Sequence, residues 1–503
     1  MSRRRVLGAA LAAGAVAALW VASRRPYDLE GRPPSDGLTR IAGVVHVHTT
    51  ASDGGGSPDE VIAAAQQAGL DFLIITDHNN LDAKPVEGYH GRLLVLVGSE
   101  ISTTAGHLVG LGIAAPTYRF SGGAMDALED VHDLGGTPFA GHPFSARRDL
   151  RWTGWDLPGP WGLELLNGDS QWREAGWGRL VRTALLYGLN RRYALLTSLS
   201  PPTAALERWD ALLRERFVPG IVGADAHARL PLTKRLSLPF PSYASLFSLA
   251  RNHVLLPRPL SGKADEDGSA VVAALAAGRS YVGLDALAPA GGFFFRAEGQ
   301  GRSYGMGETA PEGVPLRLAA GGRMPPGARV VLLRDGRVAA SATGGIDVPC
   351  PGPGVYRVEV HVPGWSTPWI LSNPIGVFSE AREAARRQRA AWPEEAPAPA
   401  AVEPLDPSSF HVEFDPASSA ESDALRDGEG PRGGPALRLA FHLGRTGPQH
   451  PFVSCALVSR EPRDLSGFTG LVFSIRADRE YRLWVQVRDV NPASADDGTE
   501  WWF

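Results

Sequence analysis

Between about residues 41 and 285, short apolar runs alternate with amphipathic stretches. The strand-like runs are 42–48, 71–76, 93–98, 106–113, 137–140, 162–166 and 219–224, and the helix-like stretches are 58–68, 122–134, 172–187, 202–215 and 268–277. The first helix is the best marked: Ser57 is an N-cap, Pro58 suits the first helical position, Glu60 completes a capping box and Gly69 supplies the stop. Strand, helix, strand in repetition predicts a parallel α/β unit, and seven such runs predict a distorted barrel. The stretch "GRSYVGLDAL" at 278–287 reads as its closing element.

The pattern then changes. From 289 to 378, runs such as "ARVVLLRDG" and "GVYRVEVHV" alternate with period two and are broken by Gly and Pro, which predicts an all-β sandwich. Residues 379–407 read as an Arg/Ala-rich helix over 379–392 followed by a Pro/Ala linker. Residues 408–503 are again β-rich, with two strands expected in "GLVFSIRADREYRLWVQVRD". The chain stops at "EWWF", where a sandwich would be left with an open edge, so a shortened C-terminal module is expected.

At the other end, three arginines precede the apolar run Val6–Ala22, and Arg24 and Arg25 follow it. Such a run spans roughly 25 Å as a helix, at the short end for a bilayer. Residues 1–25 therefore read as a signal or membrane anchor, with Ser2-Arg3-Arg4 similar to a twin-arginine start and "VAS" as a cleavage site. The expected location is exported or inner-membrane-anchored, facing the periplasm or cell exterior, with a membrane contact through this segment.

Composition narrows the function classes. The 503 residues exceed one ordinary domain, and 44% hydrophobic content supports real cores. A net charge of −4 without an internal basic run argues against a nucleic-acid partner. The two cysteines, Cys350 and Cys455, fall in different expected domains, so neither a disulfide framework nor a thiolate metal site is implied. Any metal must be held by His and carboxylate.

Histidines gather where strands end. In "GVVHVHTTASDGGGSPDE", His46 and His48 are alternate residues, expected on one strand face about 7 Å apart, with Asp53 just beyond. Taken alone, such a pair is more simply a hydrogen-bonded couple. Yet "ITDHN" places His78 after the second strand, "GSEISTTAGH" places Glu100 and His107 near the next, "GHPF" carries His142, and "GADAH" carries Asp225 and His227. Parallel α/β sheets bind ligands at the carboxyl ends of their strands, so one rim collects them all. Mixed imidazole and carboxylate suits Zn, Mn or Fe better than Mg or Ca. So many ligands imply two or three divalent ions sharing Glu100. Neighbouring cations acidify a bound water and polarise the bond under attack, which is machinery for ester hydrolysis, most naturally of a phosphoester.

"HVHTTASDG", "ITDHN", "GSEIS", "GHPF" and "GADAH" together resemble the ordered motifs of the PHP (polymerase and histidinol phosphatase) metallohydrolase superfamily, and "GSEISTTAGHLVGLG" is most similar to its carbaryl-hydrolase-like (CehA/McbA) branch. The resemblance implies a distorted (β/α)7 barrel over 41–288. It also implies a metal-bound hydroxide as the attacking group. One ion would take His46, His48, Glu100 and Asp225; a second Glu100, His107 and His142; a third Asp53, His78 and His227. Asp53 stands where some members have histidine. Glu100 and Asp225 would be the catalytic carboxylates. The C-terminal segment is similar to galactose-binding-like jelly rolls, which implies a carbohydrate contact.

For the substrate, Arg147 and Arg148 are a candidate phosphate clamp and Asn167 a candidate hydrogen-bonding residue. Trp152, Trp155 and Trp161 either line a pocket or cover the barrel end. The expected substrate is a small-molecule or glycan-linked ester. Two other readings stay open: a carboxylic or carbamic ester hydrolase on the same centre, and a non-catalytic, surface-tethered binding protein.

Overall fold

The computed structural model describes residues 3–392, except 117–119, 121, 174 and 232–236, and beyond them 405–426, 434–444, 453–457 and short pieces at 467, 475–478, 483, 487–490 and 499–502. The chain forms two units, Met1–Pro393 and Glu394–Phe503.

After helix α1 (Arg3–Ala22), the first unit builds β1 (Thr39–Val47), α2 (Pro58–Gln67), β2 (Phe72–Ile75), β3 (Gly88–His90), β4 (Leu93–Val97), β5 (Ser99–Thr103), β6 (Gly106–Leu111), α3 (Ala124–Asp133), β7 (Thr137–Ala140) and β8 (Gly162–Asn167). There follow α4 (Gly168–Arg173), α5 (Trp177–Tyr187), α6 (Arg191–Leu196), α7 (Thr203–Glu215), β9 (Gly220–Ala226), the short pair β10 (Leu230–Pro231) and β11 (Ser237–Leu238), α8 (Tyr243–Phe247), β12 (Arg251–Leu256), α9 (Ala264–Ala276) and β13 (Ser280–Gly283).

A closed barrel results. β9, β1, β2 and β4 run parallel side by side, as do β7, β8 and β9. β4 continues past Gly98 into β5, which turns back as a hairpin with β6, and β6 is antiparallel to β7 as well. A parallel bridge between His78 and Glu100 joins β5 to the end of β2. The ring is thus parallel except at β6. The apolar runs of β2 (FLII) and β4 (LLVLV) are buried throughout, as strands covered on both faces must be. The expected capping box of α2 is present, and the helix buries Val61, Ile62 and Ala65 against the barrel wall.

Several boundaries differ from expectation. The helix expected over 172–187 is divided into α4 and α5. The one expected from 268 begins at Ala264, where Asp265, Glu266 and Asp267 in the first turn suit the positive end of the helix dipole. β12, whose sequence "RNHVLL" gave no alternating signal, lies antiparallel on the first half of β1. The stretch 278–287 contributes β13 to the sheet. Its strand β13 pairs with β12 on one edge and leaves the barrel on the other.

That other edge meets the sandwich. The following strands are β14 (Phe293–Gly299), β15 (Arg302–Gly305), β16 (Thr309–Pro311), β17 (Arg317–Gly322), β18 (Arg329–Arg334), β19 (Arg337–Thr343), β20 (Ile346–Pro349), β21 (Gly354–His361), β22 (Ile370–Ser372) and β23 (Ile375–Phe378). One sheet has the order β15-β14-β17-β20. In the other, β21 pairs with β18 on one side and with β22 and β23 on the other, and β22 pairs with β13. One apolar core runs from Leu163 and Trp209 of the barrel to Phe293, Leu332 and Tyr356 of the sandwich, so packing is continuous across residue 288. A buried fork reinforces it: Arg357 of β21 donates from Nε and Nη2 to both oxygens of Asp210 on α7, each at 2.6 Å. α10 (Glu380–Arg389) follows, close to the expected helix.

In the second unit, Phe410–Phe414 pairs with Val453–Leu457, Ser419–Leu425 with Ala436–His442, and Val487–Val490 with Thr499–Trp502, all antiparallel. The Pro/Ala linker and most of the segment expected to form two strands lie outside the described residues, as do the side chains of residues 1–12 in the expected signal or anchor. Among the described residues, no helix is long and apolar enough to cross a membrane.

Candidate metal centre

The carboxyl ends of the parallel strands converge on one rim. β1 delivers His46 and His48, with Asp53 in the turn beyond; β2 leads to His78; β7 leads to His142; β9 carries Asp225 and leads to His227. Glu100 and His107 reach the same place from the β5–β6 hairpin, where Glu100 faces Val109 and His107 faces Ser102. The expectation that His46 and His48 share a face of a regular strand is corrected here. His46 has φ 64°, and the pairing of β1 with β9 shifts register between Val45 and Val47. Asp225 (φ 47°) and His142 (φ 27°) are also left-handed. Non-glycine residues pay for that conformation, and such sites cluster where geometry serves function. The kinks turn these side chains inward.

Glu100 is the hub. It is 1% exposed, and its Oε2 lies 3.1 Å from His46 Nε2, 3.1 Å from His48 Nε2 and 3.2 Å from His78 Nδ1. Its Oε1 lies 2.6 Å from His107 Nδ1 and 2.7 Å from His142 Nε2. Asp225 Oδ1 faces His48 at 3.4 Å and His46 and His227 at 3.5 Å. Asp53, half exposed, faces His227 Nε2 at 3.2 Å and His48 and His78 at 3.7 Å.

Ligand atoms lie within 4.8 Å of one another in three groups: His46, His48, Glu100 and Asp225; His78, Glu100 and His107; and His48, Asp53, His78 and His227. The first group has the composition expected for one ion. His78 was expected only beside Asp53, but its Nδ1 turns to Glu100 and its Nε2 to Asp53, so it stands between two groups. His142 touches Glu100 without belonging to the second group.

These residues fit cations. His46 Nε2, His48 Nε2, His78 Nδ1 and His142 Nδ1 are buried without a hydrogen-bond partner, a costly state for polar atoms unless something else meets them. Three of those nitrogens point at one carboxylate oxygen, and mixed imidazole and carboxylate donors suit transition metals. The clusters accommodate more than one ion. Protonation shows the same stress. Burial would lower the pKa of His46, but Glu164, Asp225 and Glu100 outweigh it and hold it well above its ordinary value. Burial opposes the rise of His142 too, but Glu100 outweighs it and brings the imidazole to about 9; Asp53 and Asp225 do the same for His227, also about 9. Glu100 and Asp225 stay well below the usual carboxylate range despite burial, chiefly through His46.

A second layer holds the first, and its most important member, Glu164, was not singled out from sequence. Its Oε1 accepts from His46 Nδ1 at 2.7 Å, while Oε2 accepts from the His142 backbone N–H at 2.7 Å and from Asn167 Nδ2 at 2.9 Å. A carboxylate behind a ligating imidazole fixes its tautomer and raises its basicity. Gly223 on β9 makes room: a Cβ there would sit 1.8 Å from Glu164 Oε1. The available signal was one glutamate within the apolar run "GLELLN". Asp77 does similar work for the loop after His48, accepting from Thr49 N–H and Oγ1 at 2.7 Å and from Ser52 Oγ at 2.5 Å.

The expected substrate contacts are placed differently. Asn167 is buried behind the cluster, its amide spent on Glu164 and, through Oδ1, on the Ser170 N–H. Arg147 and Arg148 are exposed, and Arg147 pairs with Asp149 at 2.6 Å. Trp152 and Trp161 are buried with rings 6.0 Å apart, and Trp155 packs on Phe144.

An uncharacterized protein of Methanocaldococcus jannaschii is 28% identical over 116 residues, covering 20% of this chain and 67% of that protein. An error-prone DNA polymerase of Nocardia farcinica is 30% identical over 107 residues, 20% of this chain but 9% of the polymerase. A solved two-domain protein from Bacteroides vulgatus, described as containing a predicted PHP-like metal-dependent phosphoesterase, aligns with 70% of this chain and 98% of its own at 15% identity and a TM-score of 0.32. Residues 45–152 match the PHP domain family, and since that stretch carries His46, His48, Asp53, His78, Glu100, His107 and His142, the likeness identifies with the PHP domain the segment that builds most of this centre.

Proposed function

We propose that this chain is a metal-dependent hydrolase of ester bonds, and that its substrates are phosphoesters. The observation that carries the reading is the convergence of five imidazoles on the two oxygens of the buried Glu100. Two or three divalent ions of the Zn, Mn or Fe type would be held by His46, His48, Glu100 and Asp225, by Glu100, His107 and His142 with His78 in reach, and by Asp53, His78 and His227 with His48 in reach. Bound there, such ions supply Lewis acidity and a nucleophile at neutral pH. Asp225 presents a buried carboxylate beside His46 and His48, placed to orient an attacking water. Glu164 keeps His46 in one orientation throughout.

The stretch 98–112 supports placement in the carbaryl-hydrolase-like (CehA/McbA) branch, and the basic-apolar-basic start supports an exported or membrane-anchored enzyme. The test is elemental analysis of protein purified without chelators, followed by a screen of phosphomonoesters, phosphodiesters and aryl esters with Zn, Mn or Fe present. At least two ions per chain and phosphoester turnover are expected. Less than one ion per chain overturns the metal centre; turnover of carboxylic or carbamic esters alone overturns the substrate class.

A further inference from the structure

An arginine in contact with the Asp53 loop is neither of the two expected from sequence. Arg229 follows His227 by two residues and donates from Nη1 to the backbone carbonyl of Asp53 at 3.3 Å. Its backbone is fixed. Ala228 takes a left-handed φ of 44°, the Gly55 N–H donates to the His227 carbonyl at 2.7 Å, and a Cβ on Gly55 would lie 2.8 Å from the Ala228 carbonyl oxygen. The turn after His227 and the loop after Asp53 are thus clamped together. The hydroxyl of Tyr243 sits between the carbonyls of His48 and His227, at 2.8 and 3.0 Å, and ties that clamp to the barrel.

From this fixed base the guanidinium is exposed and lines the same cleft as Asp225 and His227. A guanidinium has five N–H donors, and the hydrogen bond that Arg229 makes among the described residues uses one of them, at long distance. Asp169 also lines the cleft, while Nη1 of Arg229 lies at the backbone of the Asp53 loop. Arg147, by contrast, has its charge met by Asp149.

We infer that Arg229 binds the anionic group of the substrate at the His227–Asp53 edge of the metal centre, and that it selects phosphomonoesters over neutral esters. The inference rests on the hydrolase reading above. A phosphomonoester dianion offers charged acceptor oxygens to a planar fork of donors, and a neutral carboxylic ester does not.

The experiment uses the full chain loaded with metal. Inorganic phosphate is titrated by calorimetry, and kcat and KM are measured with para-nitrophenyl phosphate and para-nitrophenyl acetate, for the wild type, Arg229→Ala and Arg229→Lys, with metal content determined in each. Loss of one charged hydrogen bond predicts about ten- to a hundredfold weaker phosphate binding and a matching rise in KM for the phosphate ester in Arg229→Ala. Partial recovery is expected in Arg229→Lys, with metal content and acetate kinetics unchanged. Unchanged phosphate affinity in Arg229→Ala overturns the inference, and so does an equal loss on the acetate or a loss of metal. If the wild type turns over the phosphate ester and Arg229→Ala matches it, Arg229 is excluded while the hydrolase stands. If the wild type turns over neither ester but its phosphate affinity depends on Arg229, the binding role stands and the hydrolase reading falls.

Discussion

Glu164 Oε1 lies 2.7 Å from His46 Nδ1, on the far side of the imidazole from Glu100. The ring is held between two carboxylates, one of the cluster and one behind it. Glu164→Gln keeps the shape but removes the charge that makes His46 basic. Metal affinity should fall about ten- to a hundredfold, the usual size for a partner behind a metal ligand. Competition with a chromophoric chelator measures it directly, and an unchanged affinity would show that Glu164 only packs.

Gly223 tests the same contact without touching an ionisable group. Its Cβ would overlap the Glu164 carboxylate, so Gly223→Ala should displace Glu164 and lower metal affinity too. The two changes should not add: in a Glu164→Ala background the extra methyl has room, and its cost should shrink or vanish. Full additivity in the double-mutant cycle would mean that Gly223 is required for another reason.

Glu100→Ala removes the carboxylate that five imidazoles face. Metal and hydrolytic activity should be lost together, with at least one ion per chain missing by elemental analysis. Retention of the full metal complement would falsify the shared-carboxylate arrangement.

Away from the centre, Arg357 is buried between Asp210 and Glu359. Arg357→Met strands the Asp210 charge and should cost about 3–5 kcal/mol of stability by denaturant unfolding. Glu359 gives the pH signature. Burial pushes its carboxyl up, but the hydrogen bond from His361 and the charge of Arg357 outweigh burial and lower it. A lowered carboxylate stabilises the fold above its unfolded pKa, about 4.3, and the contribution disappears as pH falls through the folded value. Glu359→Gln should therefore be less stable than the wild type at pH 7, and the two should converge on acidification. Parallel curves would show that Glu359 carries no linked proton.

The barrel was legible because apolar runs such as "LDFLII" and "LLVLV" bury both faces and leave little choice of structure. The histidine cluster was legible because histidine at a strand end is conspicuous, and several at successive ends are more so. What escaped depended on distant partners. β12 has no periodic signal and is a strand because β1 offers it an edge. Glu164 was hidden because a lone carboxylate in an apolar run acquires meaning only when His46, from a segment more than a hundred residues earlier, arrives beside it. The kinks at His46 and Asp225 are invisible locally, since neither residue type announces a left-handed backbone. Arg147 and Arg148 looked apt because they follow His142 closely, but the loop points them to solvent, while Arg229 comes back to Asp53 through a turn that only the fold supplies.

β13 has no free edge, since Tyr281, Val282 and Gly283 are bonded on one side to β12 and on the other to β22. A gene cut at the apparent boundary near 288 would strip one side of that strand and present a bare row of backbone donors and acceptors, an invitation to stick to other chains. Exchange of the sandwich for a different appendage, in the laboratory or by recombination, therefore requires a substitute strand in the same register. The appendage thus completes a sheet that begins in the barrel.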